Sequence, residues 1–214
     1  MPYIRGMNTR EAYNQWAAQY DTNDNKTRDL EAMALRETLA GISFDACLEI
    51  GCGTGKNTVW LKEKAKHITA IDLSEEMLAK AKEKINDSRV VFTQADIEQE
   101  WALGSNTYDL VVFSLVLEHI EHPGPIFRKA SAALKPGGHV YVGELHPFKQ
   151  YSGSKARFDT EHGLQVVTCF NHHISDFTQS ATANGLLITA INEYFDEGDH
   201  NTLPRILSLL FTKA

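Results

Sequence analysis

Three glycines at alternate positions, Gly51, Gly53 and Gly55, follow the apolar run ACLEI at 46–50. Glycine permits a positive φ, and because it has no Cβ a ligand can lie directly against its backbone. Helix-forming residues come next, so the stretch predicts a buried strand, a tight turn and the N-terminus of a helix. In an open α/β sheet, the turn at the carboxyl end of the first strand is the expected ligand crevice.

Two familiar glycine patterns do not fit this turn. A dinucleotide fingerprint, G-x-G-x-x-G, requires glycine or alanine at 56, where the chain has Lys56. A P-loop requires glycine at 50 and serine or threonine at 57, where the chain has Ile50 and Asn57. The turn therefore predicts a ligand site of a third type.

Acidic residues end the next two apolar runs. Asp72 ends the run at 67–72, about 20 residues beyond Gly51, which is the usual spacing for an acid that binds a ribose. An ionised carboxylate only accepts hydrogen bonds, which suits a pair of ribose hydroxyls. Asp96 ends the run at 90–97 in the same manner.

The elements that position these residues alternate between strands and helices. Helices are predicted at 8–21, 27–40, 56–66 and 125–134. Another helix is predicted to begin with Ser74 as its N-cap, and the last is predicted to be capped by Ser175 and closed by Gly185. Strands are predicted at 46–50, 67–72, 90–97, 108–114, 139–144, 186–193 and 205–212. The stretch at 145–174 departs from this alternation and predicts a loop with a short β-hairpin, formed by 165–170. Insertions of this length are usually functional.

Three motifs in this order carry a resemblance to a known family. They are E-x-G-x-G-x-G at 49–55, SLVLEHI at 114–120 and LKPGG at 134–138. Together they resemble the class I S-adenosylmethionine-dependent methyltransferases, in particular small-molecule methyltransferases of the ubiquinone- and menaquinone-biosynthesis type, over about residues 13–144. The resemblance implies an α/β fold, with a Rossmann-like seven-stranded mixed sheet, helices on both faces and a β-hairpin or loop cap inserted after strand five. It also implies methyl transfer from S-adenosyl-L-methionine to a small-molecule acceptor by in-line displacement, with S-adenosyl-L-homocysteine as product.

The resemblance also assigns cofactor-binding residues. It implies that Asp72 faces the ribose, that Asp96 meets the adenine amino group and that Ser114 contacts the methionine end. The backbone amide of Ile97 is expected at a ring nitrogen. The full set implied is Tyr20, Glu49, Gly51, Cys52, Gly53, Gly55, Asn57, Asp72, Leu73, Met77, Asp96, Ile97, Ser114, Leu115 and His119.

A general base is needed only if the acceptor must lose a proton. His119, His146 and Glu144 are the candidates. For His119 two interpretations stay open, a base or a residue that holds its loop by hydrogen bonds. A metal could be suggested by Glu118, His119 and His122, but no further ligand residue is evident in the sequence. We therefore predict no metal site.

The chain of 214 residues predicts a single domain, 1–214. Within it, 1–40 is predicted to form an N-terminal helical lid, on which Tyr13, Trp16 and Tyr20 share one helix face. The insertion at 145–174 is predicted to form the substrate cap.

Composition narrows the partners and the compartment. A net charge of −7 argues against nucleic acid, and no apolar run is long enough to span a membrane. Three cysteines without a C-x-x-C pair, and no leader-like run at 1–10, predict reduced thiols in a cytoplasmic protein. A monomer and a homodimer both remain open.

Two other functions remain open as well. A non-catalytic S-adenosylmethionine-binding regulatory protein would keep the cofactor residues but lack an acceptor pocket. A nicotinamide-dependent oxidoreductase would use a similar sheet, although Lys56 interrupts its glycine pattern.

Overall fold

The computed structural model describes residues 7–160 and 163–214. Residues 1–6 of the predicted lid and 161–162 of the predicted cap lie outside the described residues. The helices are α1 (Thr9–Trp16), α2 (Lys26–Thr38), α3 (Thr58–Leu61), α4 (Glu75–Lys84), α5 (Pro123–Ala133), α6 (Pro147–Tyr151) and α7 (Ile174–Thr182). The strands are β1 (Ala46–Ile50), β2 (His67–Asp72), β3 (Val90–Gln94), β4 (Tyr108–Ser114), β5 (Leu134–Leu145), β6 (Arg157–Thr160), β7 (Gly163–Val166), β8 (Leu186–Tyr194) and β9 (Ile206–Lys213).

Seven of these strands form one sheet in the order β3-β2-β1-β4-β5-β9-β8. The first five are parallel, whereas β9 runs antiparallel to both β5 and β8. The strand order reverses at β1 and β4, which is where an open α/β sheet leaves a crevice for ligands. The predicted seven-stranded mixed sheet is confirmed.

Strand β4 shows how the two faces of the sheet are covered. Val111 and Phe113 pack in one core with Phe127 of α5 and Phe177 of α7. The alternate residues of β4, Leu110 and Val112, pack in a second core with Leu35 of α2, with Leu39 at its C-cap and with Leu78 of α4. Successive side chains of a strand point to opposite faces, so helices cover both sides of the sheet, as expected.

Several element bounds differ from the sequence prediction. The helix after the glycine turn is only α3, because the chain turns back at 62–66, and the backbone amides of Lys66 and His67 both donate to the Asp45 carbonyl. Helix α1 ends at Trp16 rather than continuing to 21. Helix α7 is capped by His173, not Ser175, because Asp176 accepts from the His173 backbone amide at 2.8 Å.

Strand β5 begins earlier than predicted. Leu134 already pairs with Tyr108 of β4, and the register then shifts before His139 pairs with Leu110. The LKPGG motif therefore lies within this irregular strand, where Gly137 adopts a φ of +76°.

The insertion after β5 and the N-terminal segment pack together. Helix α6 is followed by the antiparallel hairpin β6–β7, which begins earlier than the predicted 165–170 and overlaps it only at Gln165 and Val166. The rings of Phe158 on β6 and Trp16 on α1 stack with centroids 5.1 Å apart. Met7 forms a β-bridge with Val167, so the two segments are joined by backbone as well. Among the helices of residues 7–160 and 163–214, none is long and apolar enough to cross a membrane.

Candidate active site

A cavity of about 450 Å³ lies at the carboxyl ends of β1, β2, β3 and β4. Its size is typical of small-molecule sites. The residues that follow each strand line it, so the sheet order itself brings distant parts of the chain together. The lining that the sequence predicted comprises Tyr20, Gly51, Gly53, Asp72, Leu73, Asp96, Ile97, Ser114, Leu115 and His119.

The glycine turn after β1 is shaped by two close approaches. Gly51 has a φ of +70°, and a Cβ there would lie 2.8 Å from Cγ2 of Val116. Gly53 has a φ of +54°, and its amide donates to Oδ2 of Asp72 at 2.8 Å. Only glycine combines these φ values with this spacing at little cost. The turn is thus fixed against both β2 and the loop after β4.

Asp72 ends β2 at the floor of the cavity. Its Oδ1 accepts from the Ser74 amide at 2.8 Å, while Oδ2 accepts from Gly53. Burial raises its pKa, and the hydrogen bonds from Ser74 and Gly53 oppose that shift. A carboxylate offers about four acceptor positions, so Asp72 keeps acceptor capacity for a ligand in the cavity.

Asp96 and Ile97 form the wall after β3. Asp96 Oδ1 accepts from the Glu98 amide at 2.9 Å, which closes a tight turn. Lys129 of α5 donates to the carbonyls of Ile97 and Glu98, each at 2.9 Å, and holds this turn in place. The arrangement offers an acidic edge beside an apolar surface, which suits a flat heterocycle with an amino group.

The loop after β4 is held from below by Glu144. The amides of Val116 and Leu117 donate to its Oε1 at 3.0 and 2.8 Å. Leu115 adopts a φ of +54°, which is uncommon for a non-glycine residue, and its amide donates to the Gly143 carbonyl. Burial raises the pKa of Glu144 to about 8. Glu144 is not among the residues that line the cavity: Oε1 binds this loop, and Oε2 is buried without a hydrogen-bond partner in the described chain. This placement differs from the predicted base role.

His146 also lies away from the cavity. It is buried as the N-cap of α6, where Nδ1 accepts from the Phe148 amide and Nε2 therefore donates to Glu193 at 2.9 Å. Burial lowers its pKa. The structure thus gives His146 a capping position at the start of the insertion rather than a place at the cavity.

His119 does line the cavity, and its hydrogen bonds define its tautomer. Nδ1 lies 2.9 Å from the Thr168 carbonyl, which can only accept, so Nδ1 carries the proton. Nε2 then accepts from the Tyr13 hydroxyl at 2.8 Å. Burial raises the pKa of Tyr13 well above its usual value, which keeps that hydroxyl protonated. His119 therefore holds its loop against both α1 and the insertion.

A smaller recess of about 50 Å³ adjoins the cavity beneath the glycine turn. Two buried carboxyls line it. Glu31 of α2 accepts from Asn57 Nδ2 at 2.9 Å, and Glu49 of β1 accepts from the Thr58 hydroxyl at 2.5 Å. Burial raises the pKa of Glu31 to about 7 and that of Glu49 to about 8. The recess therefore offers buried acceptors with no cation of the described chain hydrogen-bonded to them.

A second cavity of about 230 Å³ lies between the N-terminal segment and the insertion. It shares Tyr13, Tyr20 and Leu115 with the first cavity. The other residues that line it are Trp16, Asn25, Thr27, Arg28, Glu118, Leu145, Ser154, Lys155, Ala156, Arg157 and Arg205. The three shared residues thus form a common wall between the two spaces.

The remaining predicted cofactor residues line either the recess or neither space. Cys52 and Asn57 line the recess together with Glu49. Gly55 and Met77 line neither cavity nor recess. Gly55 has a φ of +82° and its Cα faces Ile85, while Met77 is fully buried with Ala12 and Trp16 beneath α1.

Several residues that line the site were not assigned to it from the sequence, and Tyr13, Arg28 and Glu31 are the most informative of them. Tyr13 was predicted to pack in an aromatic stripe, but it also binds His119. Arg28 and Glu31 lie one turn apart on α2, and only the packing of α2 across β5 brings them to the recess. No motif marks them.

A group of metal-ligand types occurs beside the common wall. Glu118, His119 and Cys169 each place one ligand atom within 4.8 Å of the others. His122, considered from the sequence, is not part of this group, whereas Cys169 arrives from the insertion. The absence of a metal stays a prediction.

The fold and the cavity define a class of protein. The sheet has seven strands and includes an antiparallel strand, and the cavity lies at its switch point. The cavity combines a glycine turn after β1 with acids after β2 and β3. Together these features are typical of an adenosyl-cofactor site.

Comparison with known sequences matches the central part of the chain to a family. Residues 48–142 match the family described as "Methyltransferase domain". A ubiquinone biosynthesis O-methyltransferase of Vibrio parahaemolyticus is 30% identical over 51% of the chain, and the matched part spans 48% of that relative. An uncharacterized methyltransferase of Emericella nidulans is 24% identical over 99% of the chain and 87% of its own length. The chain thus spans about half the length of the Vibrio relative.

Comparison with solved structures agrees with the sequence match to methyltransferases. A Listeria monocytogenes protein assigned as an S-adenosylmethionine-dependent methyltransferase has a TM-score of 0.74 at 25% identity, covering 87% of this chain and 99% of that one. DhpI, solved with SAM and HEP, has the same fold, with a TM-score of 0.74 at 24% identity over 95% of each chain. Residues 48–142 therefore match a methyltransferase family, and the chain shares the fold of solved S-adenosylmethionine-dependent methyltransferases, which supports S-adenosylmethionine as its cofactor.

Proposed function

We propose that the chain transfers the methyl group of S-adenosylmethionine to a small-molecule acceptor by in-line displacement. The observation that carries this proposal is the common wall of Tyr13, Tyr20 and Leu115. A donor bound in the first cavity and an acceptor bound in the second would meet there. A single closed cavity would have supported cofactor binding alone.

The cofactor's orientation follows from the charges of the site. Asp72 accepts from the ribose hydroxyls, and Asp96 and Ile97 receive the adenine. The methionine end then extends toward the recess, where Glu31 and Glu49 suit its ammonium group because both carboxyls are buried without a bound cation. Arg28 also lines the recess, and its guanidinium suits the carboxylate of the cofactor's methionine end.

The chemistry demands little from the protein beyond orientation. The sulfonium makes the methyl carbon electrophilic, so the acceptor's nucleophile forms the new bond as the bond to sulfur breaks, and the electron pair stays on S-adenosylhomocysteine. The protein aligns the two reactants and excludes water. Where the acceptor must lose a proton, His119 is the candidate base, with its Nε2 released by rotation of the Tyr13 hydroxyl.

The rival functions have less support. A regulatory S-adenosylmethionine-binding protein has no need of a second cavity beside the first. A nicotinamide enzyme would need the glycine pattern that Lys56 interrupts.

The acidic chain disfavours nucleic acid as the acceptor. A cytoplasmic location is proposed from the three cysteines, all of them free thiols.

The test is direct measurement of methyl transfer. Purified protein is incubated with S-adenosylmethionine carrying a labelled methyl group and with a panel of small acceptors bearing hydroxyl, amine, thiol or carbanion-forming groups. Label recovered in an acceptor, with equimolar S-adenosylhomocysteine, supports the proposal. Tight binding of S-adenosylhomocysteine without transfer to any acceptor class favours the regulatory function instead.

A further inference from the structure

We propose that the second cavity selects an acceptor that carries an anionic group, a carboxylate or a phosphate-type oxyanion, held by Lys155 and Arg157. This inference rests on the proposed function, since it names the substrate class of the same site. The nucleophile of that acceptor would lie at the other end, beside Glu118 and the common wall.

The charge of the second cavity is opposite to that of the chain. The protein has a net charge of −7, with 28 acidic and 21 basic residues. The second cavity nevertheless has four cationic side chains and a single carboxylate among the described residues that line it. The cations are Arg28, Lys155, Arg157 and Arg205, and the carboxylate is Glu118. A cleft lined by one sign of charge concentrates ligands of the opposite sign.

Two of these cations are already bound by groups of the chain. Arg205 is paired in a bidentate manner with Asp196, at 2.5 and 2.7 Å. Arg28 donates to the carbonyls of Tyr20 and Asn23, and its guanidinium lies over the Tyr20 ring.

Lys155 and Arg157 differ from these arginines. Within residues 7–160 and 163–214, neither has a carboxylate within ion-pair distance or a side-chain hydrogen bond. Both are exposed at the mouth of the cavity, on the segment that enters the hairpin. They are therefore available to an anionic ligand.

The inner end of the cavity favours a different group. Oε2 of Glu118 is buried and has no hydrogen-bond partner in the described chain, and burial raises the pKa of this carboxyl. A second carboxylate beside it would be repelled, whereas a hydroxyl or amine would satisfy it by donating a hydrogen bond. The indole Nε1 of Trp16 is likewise buried without a partner in the described chain and offers a further donor. The cavity is thus polar at both ends, with cations on the insertion and an acceptor on the loop after β4.

The neighbouring cofactor cavity has the reverse charge. Four carboxylates and one arginine line it, namely Glu11, Asp72, Asp96, Glu98 and Arg10. S-adenosylmethionine carries a net positive charge, so the acidic cavity suits the donor and the basic cavity suits an anionic acceptor. This contrast also disfavours a cationic acceptor such as a quaternary ammonium compound.

The test uses the full chain loaded with S-adenosylhomocysteine and three small probes. Inorganic phosphate and benzoate are titrated calorimetrically, with benzamide as the neutral counterpart of benzoate. The variant is Lys155→Gln/Arg157→Gln. The matched control, Arg36→Gln/Lys82→Gln, removes the same two charges from exposed helix positions outside both cavities.

We expect phosphate and benzoate to bind the unmodified protein and the control. Benzamide should bind at least about tenfold more weakly, and the Lys155/Arg157 variant should lose about tenfold in affinity for both anions. Unchanged binding of S-adenosylhomocysteine shows that the variants are folded. Equal anion affinity in variant and control, benzamide binding as tight as benzoate, or no anion binding at all overturns the inference. If the unmodified protein fails to bind S-adenosylhomocysteine, the proposed function fails first, so the two failures are distinct.

Discussion

The Tyr13 hydroxyl lies 2.8 Å from Nε2 of His119 and joins the N-terminal helix to the loop after β4. The two rings meet edge to face, with centroids 5.4 Å apart. Both residues line the cofactor cavity, and Tyr13 lines the second cavity as well. This contact therefore links the N-terminal helix directly to His119, the candidate base.

Replacing Tyr13 with phenylalanine tests this coupling. Tyr13→Phe removes the hydroxyl that His119 binds but keeps the ring in place. Loss of one buried hydrogen bond is expected to lower kcat for methyl transfer about tenfold, while affinity for S-adenosylhomocysteine changes by less than about threefold. Steady-state kinetics and calorimetry give the two values.

Tyr151→Phe is the matched control, because Tyr151 also bonds a histidine, His173, but is exposed and outside both cavities. An equal loss of kcat in both variants would argue against a special role for the Tyr13–His119 contact.

Asp72 is expected to carry much of the cofactor affinity. Asp72→Asn keeps the shape but replaces one acceptor oxygen with a donor, so it disturbs the Gly53 or Ser74 hydrogen bond and the ribose contact together. Hydrogen bonds to a charged group contribute about 1.5–3 kcal/mol, so affinity for S-adenosylhomocysteine should fall between about tenfold and a hundredfold. Asp87→Asn is the control, since Asp87 is paired with Arg89 away from the cavity. Full affinity in Asp72→Asn would remove Asp72 from the binding site.

Gly51 is expected to tolerate no side chain. Gly51→Ala places a Cβ 2.8 Å from Val116 and forces alanine into a φ of +70°. The strain should destabilise the fold by about 1–3 kcal/mol and weaken cofactor binding. Gly41→Ala is the matched control, because nothing lies within 4 Å of its added Cβ. A Gly51→Ala protein with the control's melting temperature would contradict the described turn.

The buried carboxyl of Glu144 should make stability depend on pH. Its pKa is about 8 in the folded chain against an ordinary value of 4.5. Between these values the unfolded chain releases the proton while the folded chain retains it, so the free energy of unfolding falls as pH rises, by up to about 1.4 kcal/mol per pH unit from this group. Glu144→Gln keeps an acceptor for the Val116 and Leu117 amides and cannot titrate. Melting temperatures from pH 5 to 8 should therefore fall less steeply in the variant, and an equal slope would contradict the raised pKa.

The sequence predicted most of the sheet because its strands are apolar runs bounded by polar turns. Strands β2 and β4 were predicted with their observed bounds, since buried strands of this kind admit few other interpretations. The helix after Gly55 was predicted too long, because helical propensity at 62–66 is overridden by the turn that delivers the chain to β2.

The site was predicted unevenly for a similar reason. Asp72 ends β2 and Asp96 comes shortly after β3, so topology alone brings them to the cavity. Glu144 also lies at the end of its strand, but its side chain is directed beneath the next loop, which sequence does not reveal. Arg28 and Glu31 reach the recess only through the packing of α2, so their tertiary contacts were needed to find them.

The most direct test of the account is calorimetric titration of the purified protein with S-adenosylmethionine, S-adenosylhomocysteine and NAD. The account predicts that both adenosyl ligands bind at one site per chain, that Asp72→Asn weakens both, and that NAD does not bind. Binding of NAD without either adenosyl ligand would contradict the assignment of the cavity and would make Lys56 in the glycine turn the residue to explain.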